Sequence, residues 1–237
     1  MSSPSDPPSG FPQICIAGEN SLIVYFGDAP SATISAEIAE VASDLKAQLG
    51  TLLIDSVPSY ASLLLIYDHL QTDHFYIRAQ IHAVLSRSQR GLTQPCGRLL
   101  TLPVYYSAES GPDLETLAER AKLSAEQVIW LHQKTEYRVY AIGFAPGFAY
   151  LGQVDERIAA PRKTTPRLRV PAGAVAIANR QTAVYPYASP GGWNLIGRCP
   201  TTMFDPQKTP SMPVQVGDRV RFNAIDRDRY LALGGQL

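Results

Sequence analysis

A chain of 237 residues with 45% hydrophobic and 18% charged residues has the make-up of a folded globular protein, and its length suits one large or two small domains. Its 21 Lys plus Arg balance 21 Asp plus Glu, and a formal net charge of zero argues against a nucleic-acid binder, which needs a basic balance or a long basic stripe. Three scattered cysteines (Cys15, Cys96, Cys199) without a C-x-x-C, and four histidines (His69, His74, His82, His132) without an H-E-x-x-H, imply neither a disulfide framework nor a metal site.

Residues 1–13 are rich in Pro and Ser, lack the basic start and apolar core of a signal peptide, and read as a disordered tail. The longest apolar run, residues 63–67, falls far short of the roughly 20 residues a membrane helix needs. Together with the cysteine pattern this fits a cytoplasmic protein.

Residues 14–26 alternate and break at Gly18, as a strand or short hairpin would. Ile34, Ile38, Val41, Ala42, Leu45 and Leu49 then recur at helical spacing, with Ser35 available as a cap and Gly50 as a stop. Residues 52–57 and 61–67 read as two strands around Pro58-Ser59, and Phe75, Ala79, His82, Ala83 and Leu85 predict a second helix. A strand over residues 98–106 would close a β-α-β-β-α-β unit, so residues 14–106 are expected to form a ferredoxin-like α+β domain.

A helical connection is predicted over residues 107–135. Leu114, Leu117, Ala118 and Ala121 line one short helix, and Ser124-Ala-Glu-Gln127 is a capping box opening a second with Val128, Leu131 and His132 on its apolar face. A histidine in such a stripe reads as a hydrogen-bonded core residue before it reads as catalytic.

From residue 136 to 237 the period changes to two. Ten of the nineteen prolines fall between Gly143 and Pro213 and separate short strands predicted over residues 138–142, 168–170, 174–178, 182–187, 195–197 and 219–222, which points to an all-β barrel or sandwich. Between Arg157 and Phe204 the chain carries Arg157, Arg162, Lys163, Arg167, Arg169, Arg180 and Arg198 and not one Asp or Glu. Such an acid-free run predicts an anion site suited to a small carboxylate or phosphate. Arg167 and Arg169 alternate onto one face of a strand, Arg162 lies nearby, and Gln181 and Tyr185 supply neutral donors. Phe144, Pro146, Gly147 and Phe148, with Ser189, Gly191, Gly192 and Trp193, sit in rigid loop sequences that suit pocket walls or partner contacts. Gly192–Cys199 mimics a phosphate loop only superficially, since its interior is bulky, Arg198 replaces Lys, Cys199 replaces Ser or Thr, and Pro200 follows. No G-x-S-x-G elbow is present.

The motifs Glu136 to Gly152, Pro161-Arg-Lys-Thr-Thr-Pro-Arg-Leu-Arg-Val-Pro-Ala-Gly173, Gln181-Thr182, Tyr185-Pro186 and Ser189-Pro-Gly-Gly-Trp193 resemble the B-subunit family of bacterial 5-oxoprolinases. This is the PxpB/KipI family, also described as allophanate hydrolase subunit 1 or carboxyltransferase domain. The likeness runs from about residue 14 to residue 222. It implies a cyclophilin-like barrel for the second half and a role inside an ATP-using complex that opens 5-oxoproline to glutamate. The partners it implies are a C subunit (KipA, biotin-dependent carboxyltransferase-like) and an A subunit (LamB/YcsF-like). Arg162, Arg167 and Arg169 would then hold a substrate carboxylate or transferring phosphoryl group. No catalytic base and no metal site are read from this chain. Other branches imply other roles: an inhibitor of a histidine kinase (KipI-like), or a carboxyltransferase or allophanate hydrolase-type component of urea metabolism. Gln153-Val154, Asn179-Arg180, Ala183 and Cys199 depart from the family pattern.

Overall fold

A computed structural model describes residues 10–87 and 97–237, so most of the expected tail, and Cys96, lie outside the described residues. The chain divides into two compact units between residues 95 and 96.

The first unit contains β1 (Gln13–Gly18), β2 (Ser21–Tyr25), α1 (Ala32–Leu49), β3 (Leu53–Pro58), β4 (Ser62–Tyr67) and α2 (His74–Arg87). Its four strands form one antiparallel sheet in the order β1-β2-β4-β3. Alternation puts Leu22, Val24, Leu63, Leu65 and Tyr67 on the face that packs with Ile38, Val41 and Leu45 of α1. Ser31, not Ser35, caps α1: its Oγ accepts the Ile34 N–H at 3.1 Å, while Ser35 is buried. Gly50 ends the helix at φ 53°, as the sequence predicts. The apolar stripe of α2 differs from expectation. Ile77, Ile81, Val84 and Leu85, spaced i, i+4, i+7 and i+8, are buried, whereas Phe75 is 83% exposed, because the branched aliphatic side chains form the continuous helical stripe and Phe75 lies off it.

The second unit contains β5 (Leu99–Tyr105), α3 (Leu114–Ala121), α4 (Ala125–Lys134), β6 (Tyr137–Ile142), β7 (Ala149–Gly152), β8 (Arg167–Val170), β9 (Ala174–Ala178), β10 (Gln181–Val184), β11 (Ser189–Gly191), β12 (Asn194–Arg198), β13 (Arg219–Ile225) and α5 (Arg227–Ala232). Seven of the strands close a barrel in the order β10-β7-β6-β13-β5-β12-β9, and β8 with β11 forms a separate ribbon. The expected closing strand of the first domain is therefore a barrel strand. β5 lies parallel to β13 along its length and antiparallel to β12, so the first unit is a four-stranded sheet with two helices rather than a full βαββαβ unit. Periodicity marks a strand but does not name its partner. The helices expected as a connection likewise belong to the barrel: Leu114, Leu117, Val128 and Leu131 share one core with Val104, Val139, Ile177 and Phe222.

β9 positions the site because it is buried on both faces. Val175 and Ile177 point into the barrel core, and the small Ala174, Ala176 and Ala178 leave room on the other face for Phe148, Tyr185 and Trp193. The capping box on α4 forms as predicted, with Ser124 Oγ accepting the Gln127 N–H and the Gln127 side chain accepting the Ser124 N–H.

Candidate functional site

The acid-free run is not acid-free in space. Asp113, one residue before α3, is buried and accepts from Lys163 Nζ and Arg167 Nη2, each at 2.8 Å, through one oxygen, and from the Leu195 N–H at 2.8 Å through the other. Burial works to raise its pKa, but the hydrogen bonds from Arg167, Lys163 and the Leu195 amide outweigh burial and hold the carboxyl below its ordinary value. Arg157 is held by Asp155 at 2.7 Å and Arg180 by Glu156 at 2.8 Å. Arg198 donates to the Ala172 and Gln236 carbonyls. Among the described residues Arg162, Arg169 and Arg198 have no carboxylate partner, and Arg162 and Arg169 make no side-chain hydrogen bond either.

Those two cations are separated. Arg162 stands over the Trp193 ring, its guanidinium carbon 5.9 Å from the ring centroid. Its place is set by the chain on either side: the Pro161 carbonyl accepts from Asn194 Nδ2 at 2.9 Å, and the Lys163 N–H donates to the Gly192 carbonyl at 2.7 Å. The Pro-Gly-Gly-Trp turn thus clamps the Pro-Arg-Lys segment and lays Arg162 on the indole. Arg169 lines a cavity elsewhere on the same unit, beside Arg198.

Under Arg162 the aromatic residues form one edge-to-face cluster. Phe148 sits 5.6 Å from Trp193, 4.9 Å from Tyr150 and 5.1 Å from Tyr185. Phe148, Tyr185 and Trp193 are buried, so they are walls and floor, not free contact surface. Burial pushes the Tyr185 hydroxyl up to about 12, against a lowering pull from Arg162, and leaves it a neutral donor at physiological pH. Gly191 is required beside it, since a Cβ there would lie 2.4 Å from the Tyr185 hydroxyl oxygen. Gln181 opens β10, opposite Gly152 of β7 and Ala178 of β9. Ser189 and Gly191 belong to the short strand β11 paired to β8, where the sequence predicts loop.

Phe144 is the exposed member of the cluster: it is 65% exposed and meets Phe148 edge-on at 5.2 Å. Its backbone has φ 71°, a region that bulky side chains seldom occupy. The turn that holds it is closed by the Gly143 N–H to the Phe148 carbonyl and the Phe148 N–H to the Ala145 carbonyl. Pro146 is exposed, and Gly147, at φ 83°, lets the loop pack against the Met203 carbonyl. Sequence reasoning missed β7 behind this loop, because the Gly, Pro and aromatic pattern conceals its alternation.

Arg162, Trp193, Tyr150 and Phe144 thus make a ledge that combines one uncommitted guanidinium with flat apolar walls. Such a ledge can hold a carboxylate or polarise an amide carbonyl. No cluster of His, Cys, Asp and Glu able to hold a metal occurs among the described residues. No described helix is long and apolar enough to cross a membrane.

Residues 12–214 match the family model for the carboxyltransferase domain, subdomain C and D. The chain is 36% identical over 230 residues to the B subunit of the 5-oxoprolinase of Bacillus subtilis (strain 168), covering 93% of this chain and 95% of that protein. The crystal structure of TTHA0988 superposes with a TM-score of 0.78 at 37% identity over 87% of this chain, which spans only 40% of that longer chain. The urea amidolyase of K. lactis, at 15% identity and a TM-score of 0.73, covers 92% of this chain and 15% of its own length, and shares the fold.

Proposed function

Because this chain belongs to the carboxyltransferase-domain family of subdomains C and D, with the B component of a 5-oxoprolinase as a near full-length relative, we propose that it is a subunit of an ATP-dependent 5-oxoprolinase. The complex opens the lactam of 5-oxoproline to glutamate, and this chain acts in it with a C subunit of the biotin-dependent carboxyltransferase type and an A subunit of the LamB/YcsF type. ATP phosphorylates the lactam oxygen and leaves as ADP, one water adds to the activated carbon so that the ring C–N bond breaks and the nitrogen takes up a proton to give an acyl phosphate, and a second water converts this to glutamate and inorganic phosphate. This chain contributes the Arg162 ledge to a composite site. Its part is to bind and orient the substrate carboxylate by a preplaced guanidinium rather than to supply a base.

The observation that carries this reading is Arg162 held over Trp193 with no carboxylate partner among the described residues, in a chain whose neighbouring cations, Lys163 and Arg167, are committed to Asp113. The likeness to urea amidolyase, at 15% identity, bears on the fold and adds no weight to a urea substrate.

The test is 5-oxoproline-dependent ATP hydrolysis and glutamate release by the chain co-purified with its A and C subunits, against omission of each. Turnover that disappears when this chain is left out supports the reading. A stable complex that turns over without it, or does not turn over 5-oxoproline at all, ends it.

A further inference from the structure

The cavity that Arg169 lines is separate from the Arg162 ledge and has its own chemistry. It measures about 410 Å³, within the range of small-molecule sites, and Arg169, Arg198, Thr201 and Thr202 stand in its wall with no Asp or Glu among its lining residues. Arg198 is fixed there: its Nη1 donates to the Ala172 carbonyl at 3.2 Å and to the Gln236 carbonyl at 3.0 Å. Its Nε is buried and meets no hydrogen-bond acceptor among the described residues.

The walls are built rather than incidental. Gly173, at φ 75°, brings the chain so close to Cys199 that a Cβ would lie 2.4 Å from the Cys199 carbonyl oxygen, and the Cys199 N–H donates to the Gly173 carbonyl at 2.8 Å. Across the cavity the Tyr230 hydroxyl donates to the Gln236 carbonyl at 2.8 Å, the same oxygen that Arg198 holds. Two guanidiniums and three hydroxyl-bearing residues therefore share a preformed wall that carries no carboxylate side chain.

We propose that this cavity is a second oxyanion site, which takes the phosphoryl or carboxylate group of a small metabolite between Arg169 and Arg198. The site stands whether or not the chain serves a 5-oxoprolinase, because it rests on this cavity alone.

Isothermal titration of the isolated full chain carrying Arg162→Ala, which takes the ledge out of the measurement, with inorganic phosphate and, separately, with glutamate tests it, with Arg169→Ala, Arg198→Ala and Arg157→Ala added in turn. At least one anion should bind with a dissociation constant on the order of millimolar or tighter, and Arg169→Ala should weaken that binding about tenfold or more. Arg157→Ala, which removes a cation held by Asp155, should leave it unchanged. Phosphate binding alone identifies a phosphoryl ligand, and glutamate binding alone a carboxylate one. Should Arg198→Ala fail to fold for want of its two carbonyl bonds, Arg169→Ala carries the test, since Arg169 is exposed and makes no such bonds. The proposal is overturned if neither anion binds, or if binding survives Arg169→Ala or is lost in Arg157→Ala.

Discussion

Asp113 holds Arg167 at 2.8 Å and, through the same oxygen, Lys163 at 2.8 Å, so the carboxylate before α3 pairs with two cations brought to it by the segment that leads into β8. Asp113→Asn keeps the shape and removes the charge. It should destabilise the protein by about 2–3 kcal/mol, below the cost of breaking a fully buried pair, because both cations are partly exposed. Denaturant unfolding at neutral pH measures the loss. The folded pKa of Asp113 is lowered, so its contribution is complete above the ordinary carboxylate range and disappears as pH falls through the folded value. The acid limb of the stability profile should be shallower in Asp113→Asn than in the parent, and identical limbs would show that the pair does not stabilise the fold.

His132 is fully buried, stacked on Phe222 at 4.5 Å, with Nδ1 2.7 Å from the Tyr106 hydroxyl and Nε2 2.9 Å from Thr182 Oγ1. The Thr182 hydroxyl donates to the Ala176 carbonyl, so it accepts from Nε2–H, and Nδ1 accepts from Tyr106. Burial depresses the imidazole pKa to about 3. The native state therefore keeps His132 neutral while the unfolded state takes up a proton below about 6.5, and stability falls as pH drops from there towards the folded value. Between about pH 7 and pH 5 this residue alone should account for a loss of ~2 kcal/mol, absent in His132→Gln. Urea unfolding of both proteins at the two pH values gives the difference. A parent and variant with the same pH dependence would mean that His132 titrates normally.

Local signals were legible wherever a residue acts on its own neighbours. Ser124 and Gln127 name the start of α4, Gly50 names the end of α1, and residues 174–178 read as a strand. What failed was long-range. Nothing in residues 98–106 shows that they pair with β13 more than a hundred residues later, and the barrel claims them. The acid-free run is the sharpest case: Asp155 and Glu156 lie just outside it in sequence and Asp113 well before it, so a site that looked like seven cations reduces to Arg162, Arg169 and Arg198 as the three without an acid among the described residues. Linear charge counting cannot see a carboxylate delivered by another element.

Phe144 combines exposure with a positive φ, and nothing about its own packing requires that backbone. Phe144→Gly should therefore leave stability unchanged or raise it by up to ~1 kcal/mol, since glycine adopts φ 71° without strain. The same change should weaken assembly with the partner subunits if the ring is a contact, and co-purification yield reports it. Gly147→Ala is the opposite case, because φ is 83° and a Cβ would lie 2.7 Å from the Met203 carbonyl oxygen. It should cost about 1–3 kcal/mol. A Phe144→Gly protein with a markedly lower melting temperature would make that ring part of the scaffold.

Arg162 and Arg167 lie close in sequence and should separate cleanly by experiment. Arg162 is exposed on the indole of Trp193, so Arg162→Ala removes a cation whose contribution to folding is small, since an exposed cation–π contact is worth about 0.5–1 kcal/mol. If it orients the substrate carboxylate, turnover of the assembled complex should fall by about tenfold to a thousandfold, with melting temperature nearly constant. Arg167→Ala leaves Asp113 with Lys163 as its one remaining cation among the described residues, so melting temperature and activity should fall together. Arg162→Lys discriminates further: it keeps the charge but loses the planar face, and partial recovery of turnover would assign the effect to charge rather than to stacking. Equal losses of stability and turnover in Arg162→Ala would return this residue to the scaffold and leave the ledge without its anion-binding group.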